Sequence, residues 1–204
     1  MFAVIQAAGW PIWPLLIASV IALALIVERA LSLRRERVLP PGALDAAIAL
    51  ARRGQGKGDA TDQLARGSML GRVLATGVRY VAGNPKGPRD AAKDALEETG
   101  RAVAHELEKY LSALGTIASV APLMGLFGTV VGMIEIFGSQ DATGTDPAQL
   151  AHGISVALYN TGFGLMIAIP AMIFYRMYRA RVDAFLVELE TQAVHFLDAT
   201  LPRH

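Results

Sequence analysis

A stretch of 24 residues without a charged side chain runs from Leu111 to Ile134. About 20 apolar residues are enough to cross the hydrocarbon core of a bilayer as a helix. The stretch therefore predicts a membrane-spanning helix. It also restricts the rest of the chain to folds that a lipid bilayer permits, because backbone polar groups inside a bilayer must be paired within the protein.

Small residues interrupt this stretch in a way that a helix facing only lipid does not need. Gly128 and Gly132 form a GxxxG pair, and small residues of this kind let two membrane helices approach closely. A later apolar stretch contains two similar glycines. We therefore predict that helix packing depends on Gly125, Gly128, Gly132, Gly162, Gly164 and Pro122.

Two further stretches complete the membrane prediction. Residues 1–27 contain no charged side chain, and Gly153 to Tyr175 form another uncharged run. The chain is 53% hydrophobic and only 18% charged, a composition that favours an integral membrane protein over a soluble domain. The expected fold is all-α, with three membrane spans and long helices that extend into the cytoplasm.

The distribution of basic residues predicts the orientation. Of the 19 Lys and Arg residues, 15 lie between Arg29 and Lys109, and the other four follow the third span. Loops rich in Lys and Arg stay cytoplasmic. We therefore expect an external N-terminal segment and first span at 1–33, a cytoplasmic helical region at 34–110, the second span at 111–137, a short external loop at 138–152, the third span at 153–175, and a cytoplasmic C-terminal helix at 176–204.

The cytoplasmic region is expected to be helical. Glycines and prolines divide it into one helix over 43–53, a second that starts at Thr61 or Ser68 and ends at Val81, and a third that starts at Arg89. No glycine–proline breaker separates the third helix from the second span. We therefore predict one continuous helix of about 50 residues from Arg89 through the membrane, bent at Pro122.

Nothing in the sequence favours an enzyme. The chain has no cysteine, its four histidines are far apart, and no glycine-rich phosphate-binding pattern is present. The formal net charge is +1, which gives no reason to expect nucleic acid as a partner. We therefore expect no catalytic site, no metal and no cofactor.

Two threonines form the most informative pair. Thr129 in the second span and Thr161 in the third lie at similar distances from the external side, because the two spans run in opposite directions. Asn160 adds an amide at the same depth. The alternative is that each hydroxyl simply bonds to a carbonyl one turn earlier in its own helix. The surrounding glycines instead favour the interpretation that Thr129, Thr161 and Asn160 line a polar path.

Glu135 is the only carboxylate within these apolar runs. It comes near the external end of the second span, where it can reach the membrane interface. A structural or interfacial role is favoured, and proton carrying stays open because ionisable groups inside membranes are often functional.

Three segments resemble the ExbB/TolQ/MotA proton-channel family. They are VERALSLRR at 27–35, APLMGLFGTVVGMIEIF at 121–137 and GISVALYNTGFGLMIAIPAMIFYR at 153–176. The length and three spans are similar to the ExbB and TolQ branches rather than to MotA, which has four spans. Within the family, the GTVVG and YNTGFG stretches carry the channel threonines, and these match Thr129 and Thr161.

The resemblance implies a homopentamer in the bacterial inner membrane, with the N-terminus in the periplasm and the C-terminus in the cytoplasm. Its lumen would hold a dimer of ExbD-like or TolR-like single-span partners, whose aspartate carries the proton. Proton flow would then energise TonB or TolA. Many family members have a glutamate five residues before the third-span threonine. Val156 occupies that place here, so the partner would have to supply the carboxylate.

The main hypothesis is thus an ExbB-like subunit that energises TonB-dependent transport, and a TolQ-like role in envelope maintenance is the alternative. A non-conducting membrane scaffold is a second class, in which the glycines only pack helices. A small-molecule transporter predicts inverted repeats, and three spans without internal similarity argue against it.

Overall fold

The computed structural model describes residues 9–138 and 147–201, with the side chains of 147–150, 152 and 156 excepted. Asp141, Asp146 and most of the predicted external loop lie outside the described residues, as do the first eight residues and His204. Within the described ranges all regular structure is helical. The helices are α1 Ile12–Ser32, α2 Arg35–Val38, α3 Ala43–Arg52, α4 Asp59–Gly67, α5 Met69–Gly83, α6 Arg89–Glu108, α7 Leu111–Gly138 and α8 Pro147–Thr200.

Three helical segments are long and apolar enough to cross a membrane: Ile12–Ser32, Arg89–Gly138 and Gly153–Thr200. The expected all-helical fold with three candidate spans is therefore confirmed. The first span is α1, the second is α7, and the third is the apolar part of α8.

One prediction about the helices is wrong. The chain does not continue as a single helix from Arg89 to Gly138, because α6 ends at Glu108 and α7 begins at Leu111. Between them Lys109 is extended, with ψ 138°, and Tyr110 has φ +66°. A left-handed conformation costs an L-residue about 1–2 kcal/mol and interrupts a right-handed helix. Pro122 lies inside the uninterrupted part of α7.

The second helix predicted for the cytoplasmic region is in fact two helices. Both proposed starting points are close to real helix starts, since α4 begins at Asp59 and α5 at Met69. Ser68 separates them in an extended conformation, and its side-chain oxygen accepts a hydrogen bond from the Gly71 backbone N–H at 2.9 Å. Such an N-cap satisfies one of the unpaired donors at the start of a helix.

The chain divides into two compact units. The first consists of Met1–Glu28 and Tyr110–Met177, and so contains the apolar parts of the three candidate spans. The second consists of Arg29–Lys109 and Tyr178–His204. In the second unit α5 packs against α3, α4 and α6. The residues buried there include Leu74, Val78, Val103, Leu107 and Phe196.

Polar contacts tie the second unit to its C-terminal helix. Arg89 donates one hydrogen bond to the Leu201 carbonyl and another to the Asp198 carboxylate, both at 2.6 Å. Arg35 and Glu188 form a further ion pair at 2.6 Å. These contacts fix the last turns of α8 against helices that come much earlier in the sequence.

Within the first unit, the first span packs against the other two near their middle. Leu15 is buried with Ala121 and Ala168. Trp10, just before α1, makes an edge-to-face contact with Phe127, with ring centroids 6.1 Å apart. The beginning of the first span therefore lies at the level of Phe127 in the second.

Candidate functional site

The second and third spans approach so closely that only glycine fits at several contacts. A Cβ atom on Gly164 would lie 2.5 Å from the Ala121 carbonyl oxygen, and one on Gly125 would lie 2.6 Å from the Asn160 carbonyl oxygen. Both obstacles are backbone atoms, which cannot move aside without shifting a helix. The two spans therefore touch backbone to backbone, the arrangement that small residues permit in membranes.

The contacts fix the register of these two antiparallel helices. Along the interface Gly115 faces Tyr175, Gly128 faces Asn160, Gly132 faces Ala157, and Gly153 faces Ile136. Continuing this register places Thr129 opposite residue 159 or 160. Thr161 is only one or two residues away, which is about 2–3 Å along the helix axis. The two threonines thus lie at nearly the same depth.

They also lie on the same side of the interface. Successive residues of an α-helix are about 100° apart around the helix axis. Each threonine is therefore about 60° from the centre of the helix face that contacts the other span, and both rotations have the same sense when each helix is followed from its N-terminus to its C-terminus. In an antiparallel pair, equal rotational sense means the same side. Both side chains are half-buried, as expected for positions at the edge of a contact. We call this side the threonine flank.

The first span covers the opposite flank. Leu15 contacts a cluster that includes Met124, Phe163 and Ile167, and these three residues lie on the side of the interface away from Thr129 and Thr161. Apart from its hydroxyls, the threonine flank is apolar and exposed. Leu126 is 55% exposed, Leu158 63% and Leu165 45%. Within the described residues, no other part of the chain covers these leucines.

The hydroxyls of the two threonines differ. Thr129 Oγ1 donates a hydrogen bond to the Leu126 carbonyl at 2.6 Å. Its hydroxyl therefore bonds within its own helix, as the alternative interpretation expects. For Thr161 no hydrogen bond of the hydroxyl occurs among the described residues.

Asn160 occupies the interface itself rather than its edge. It is 1% exposed, and its side chain packs against Gly128, where an added Cβ would lie 2.8 Å from the Asn160 Cγ. Asn160 makes a polar interaction, while its Oδ1 accepts no hydrogen bond within the described residues. The structure thus brings Asn160 to the depth of the threonines, on the contact face of its helix.

The remaining predicted site residues differ in their surroundings. Glu135 is exposed and lies about 120° around α7 from Thr129, away from the threonine flank. A Cβ on Gly132 would meet Ala157 at an ordinary 3.4 Å, whereas a Cβ on Gly162 would meet no described residue within 4 Å. The side chain of Val156 lies outside the described residues. Among the described residues, no group of three or more His, Asp or Glu side chains is placed to hold a metal.

The sequence interpretation missed the leucines of the threonine flank and the covering of the opposite flank by the first span. Helical periodicity places Leu126 on the same side as Thr129. It contains no signal that assigns the first span to one flank, because that depends on packing between distant segments.

The fold and site define a class of protein: an all-helical protein with three candidate membrane spans, of which the second and third form a tight antiparallel pair with hydroxyls on one uncovered flank. Comparison with known proteins places the chain more narrowly. Residues 65–191 match the MotA/TolQ/ExbB proton channel family, and the chain belongs to that family.

The chain is also similar to individual proteins that are named ExbB or TolQ. The chain is 30% identical over 189 residues to the biopolymer transport protein exbB1 of Vibrio cholerae, covering 91% of this chain and 82% of that protein. It is 36% identical over 122 residues to the Tol-Pal system protein TolQ of Haemophilus influenzae, covering 56% of this chain and 50% of TolQ. It is 34% identical over 103 residues to the biopolymer transport protein ExbB of Salmonella typhimurium, covering 50% of this chain and 42% of that protein.

Proposed function

We propose that this protein is an ExbB-like proton-channel subunit of an inner-membrane motor that uses the proton-motive force to energise TonB-dependent transport at the outer membrane. Five copies surround a lumen, with the N-terminus in the periplasm and the C-terminus in the cytoplasm. The lumen holds a dimer of single-span, ExbD-like partners. A TolQ-like role with TolR-like and TolA partners is the alternative, favoured by the similarity to a protein named TolQ.

The observation that supports this proposal is the position of Thr129 and Thr161. They share one depth and one flank, and the first span packs on the opposite flank. If the first span faces lipid, the threonine flank faces inward. An apolar helix of a partner fits this flank, because the exposed side chains around the threonines include Leu126, Leu158 and Leu165.

The chemistry requires a carboxyl group from the partner. A threonine hydroxyl does not ionise near neutral pH, but it can hydrogen-bond a carboxyl group and orient water. Between Leu111 and Ile134, and between Gly153 and Tyr175, the two spans have no charged side chain, so the partner's acid would be the proton carrier there. Each charge that crosses gains about 2.3 kcal/mol per 100 mV of membrane potential, which can drive a conformational step between ring and partner.

Proton flux tests the proposal. The protein and its co-purified partner are reconstituted in vesicles, and flux is measured with a pH-sensitive dye under an imposed membrane potential. Thr129→Val and Thr161→Val, each nearly isosteric with the native residue, should lower flux tenfold or more while native mass spectrometry shows intact assembly. Normal flux in both variants argues against a lumen role, and no flux in any form indicates a scaffold.

A further inference from the structure

The two threonine hydroxyls offer different hydrogen-bonding groups to the threonine flank. A carbonyl oxygen can only accept, so the 2.6 Å contact between Thr129 Oγ1 and the Leu126 carbonyl uses the hydroxyl proton of Thr129. The lone pairs of the same oxygen are left for another group. In this conformation Thr129 is a hydrogen-bond acceptor toward anything on the flank.

Thr161 has the complementary character. Its side chain is half-buried at the edge of the same interface, and within residues 9–138 and 147–201 its hydroxyl makes no hydrogen bond. Its proton is therefore available for donation. Since both threonines lie at nearly the same depth and on the same flank of two helices in backbone contact, one group on the flank could reach either of them.

We infer that the two threonines recognise opposite protonation states of the same acid. A protonated carboxylic acid has an O–H to donate and binds Thr129 as its acceptor. An ionised carboxylate only accepts and binds Thr161 as its donor. This inference rests on the proposed function, in which a partner helix brings a carboxyl group to the flank. Beyond that function, we infer that the acid moves from the third span to the second when it takes up a proton, and back when it releases the proton.

Few other titratable groups of this chain face that position. Glu135 on α7 lies on the other side of the helix, and the first span has no charged residue between Ile12 and Val27. On α8, Tyr175 packs on Gly115 near the opposite end of the span, and Tyr159 lies about 160° around the helix from Thr161. Asp141, Asp146 and the side chain of His152 lie outside the described residues.

The experiment measures the protonation of the partner's acid in the intact complex. Complexes are isolated from native membranes through a tag on this chain. They are then treated with dicyclohexylcarbodiimide across a pH series, because this reagent modifies the protonated acid. Mass spectrometry of the partner gives the midpoint pH of modification. Thr129→Val should lower the midpoint and Thr161→Val should raise it, each by about half a unit to one unit, which is a three- to tenfold change in the protonation equilibrium.

Thr116→Val is the matched control. Thr116 also donates to a carbonyl of its own helix, that of Ser112 at 2.9 Å, but it lies about 140° around α7 from Thr129. Its variant should leave the midpoint unchanged. Thr129→Ser keeps the acceptor oxygen and should also resemble the native protein.

The outcomes separate the two proposals. Opposite shifts of the midpoint pH in the two valine variants support the inference that each threonine recognises one protonation state of the acid. Shifts in the same direction, or unchanged midpoints in variants whose flux is reduced, overturn it and leave the channel function standing. If no partner co-purifies, or its acid is unmodified at every pH, the proposed function itself fails.

Discussion

Replacing Gly164 by alanine is the sharpest test of the packing between the second and third spans. The new Cβ would lie 2.5 Å from the Ala121 carbonyl oxygen and 3.2 Å from the Gly125 Cα. Ordinary contact begins near 3.4 Å, so the two helices would have to separate by almost an ångström. Overpacking of this kind typically costs about 1–3 kcal/mol, and here the obstacle is backbone that cannot rotate away.

Gly132→Ala is the matched control, because its Cβ would meet Ala157 at an ordinary 3.4 Å. Both variants make the same chemical change in the same interface. Thermal unfolding in detergent, followed by circular dichroism, should show Gly164→Ala melting several degrees below the native protein and Gly132→Ala close to it. Equal melting temperatures for the two variants would show that the spans are not in backbone contact at Gly164, and the register that aligns the threonines would lose its basis.

Two further predictions concern positions outside the threonine flank. Tyr110 has φ +66°, a conformation that glycine adopts without steric cost. Tyr110→Gly should therefore be more stable than Tyr110→Ala by about 1 kcal/mol in denaturant unfolding. Equal stabilities of the two variants would show that the backbone at Tyr110 is not strained. Glu135→Gln should retain most of the proton flux in vesicles, because Glu135 lies away from the threonines, and loss of flux would instead identify it as a proton carrier.

Three candidate spans could be predicted from the sequence because each is marked by a long uncharged run. The second span was expected at 111–137 and the helix is Leu111–Gly138. The C-terminal helix expected at 176–204 is part of α8, which continues to Thr200. Hydropathy and helical periodicity are properties of contiguous residues, so they can be evaluated without knowing the fold.

The interruption at Tyr110 was not predictable in the same way. Glycine or asparagine usually marks a left-handed residue, and Tyr110 gives no such signal. The alignment of the threonines illustrates an intermediate case. Their similar depth follows from counting residues, whereas their common flank depends on which glycines form the contact, and the sequence alone did not single out Gly125 and Gly164.

The contact between Trp10 and Phe127 has a consequence for the surrounding bilayer. The second span continues for eleven residues beyond Phe127 to Gly138, which is about 16 Å of helix. Tryptophan favours the headgroup region, so the first span would set the lipid boundary well short of the end of α7 at Gly138. Such hydrophobic mismatch is relieved by local thinning of the bilayer or by helix tilt, and the protein should therefore be sensitive to acyl-chain length.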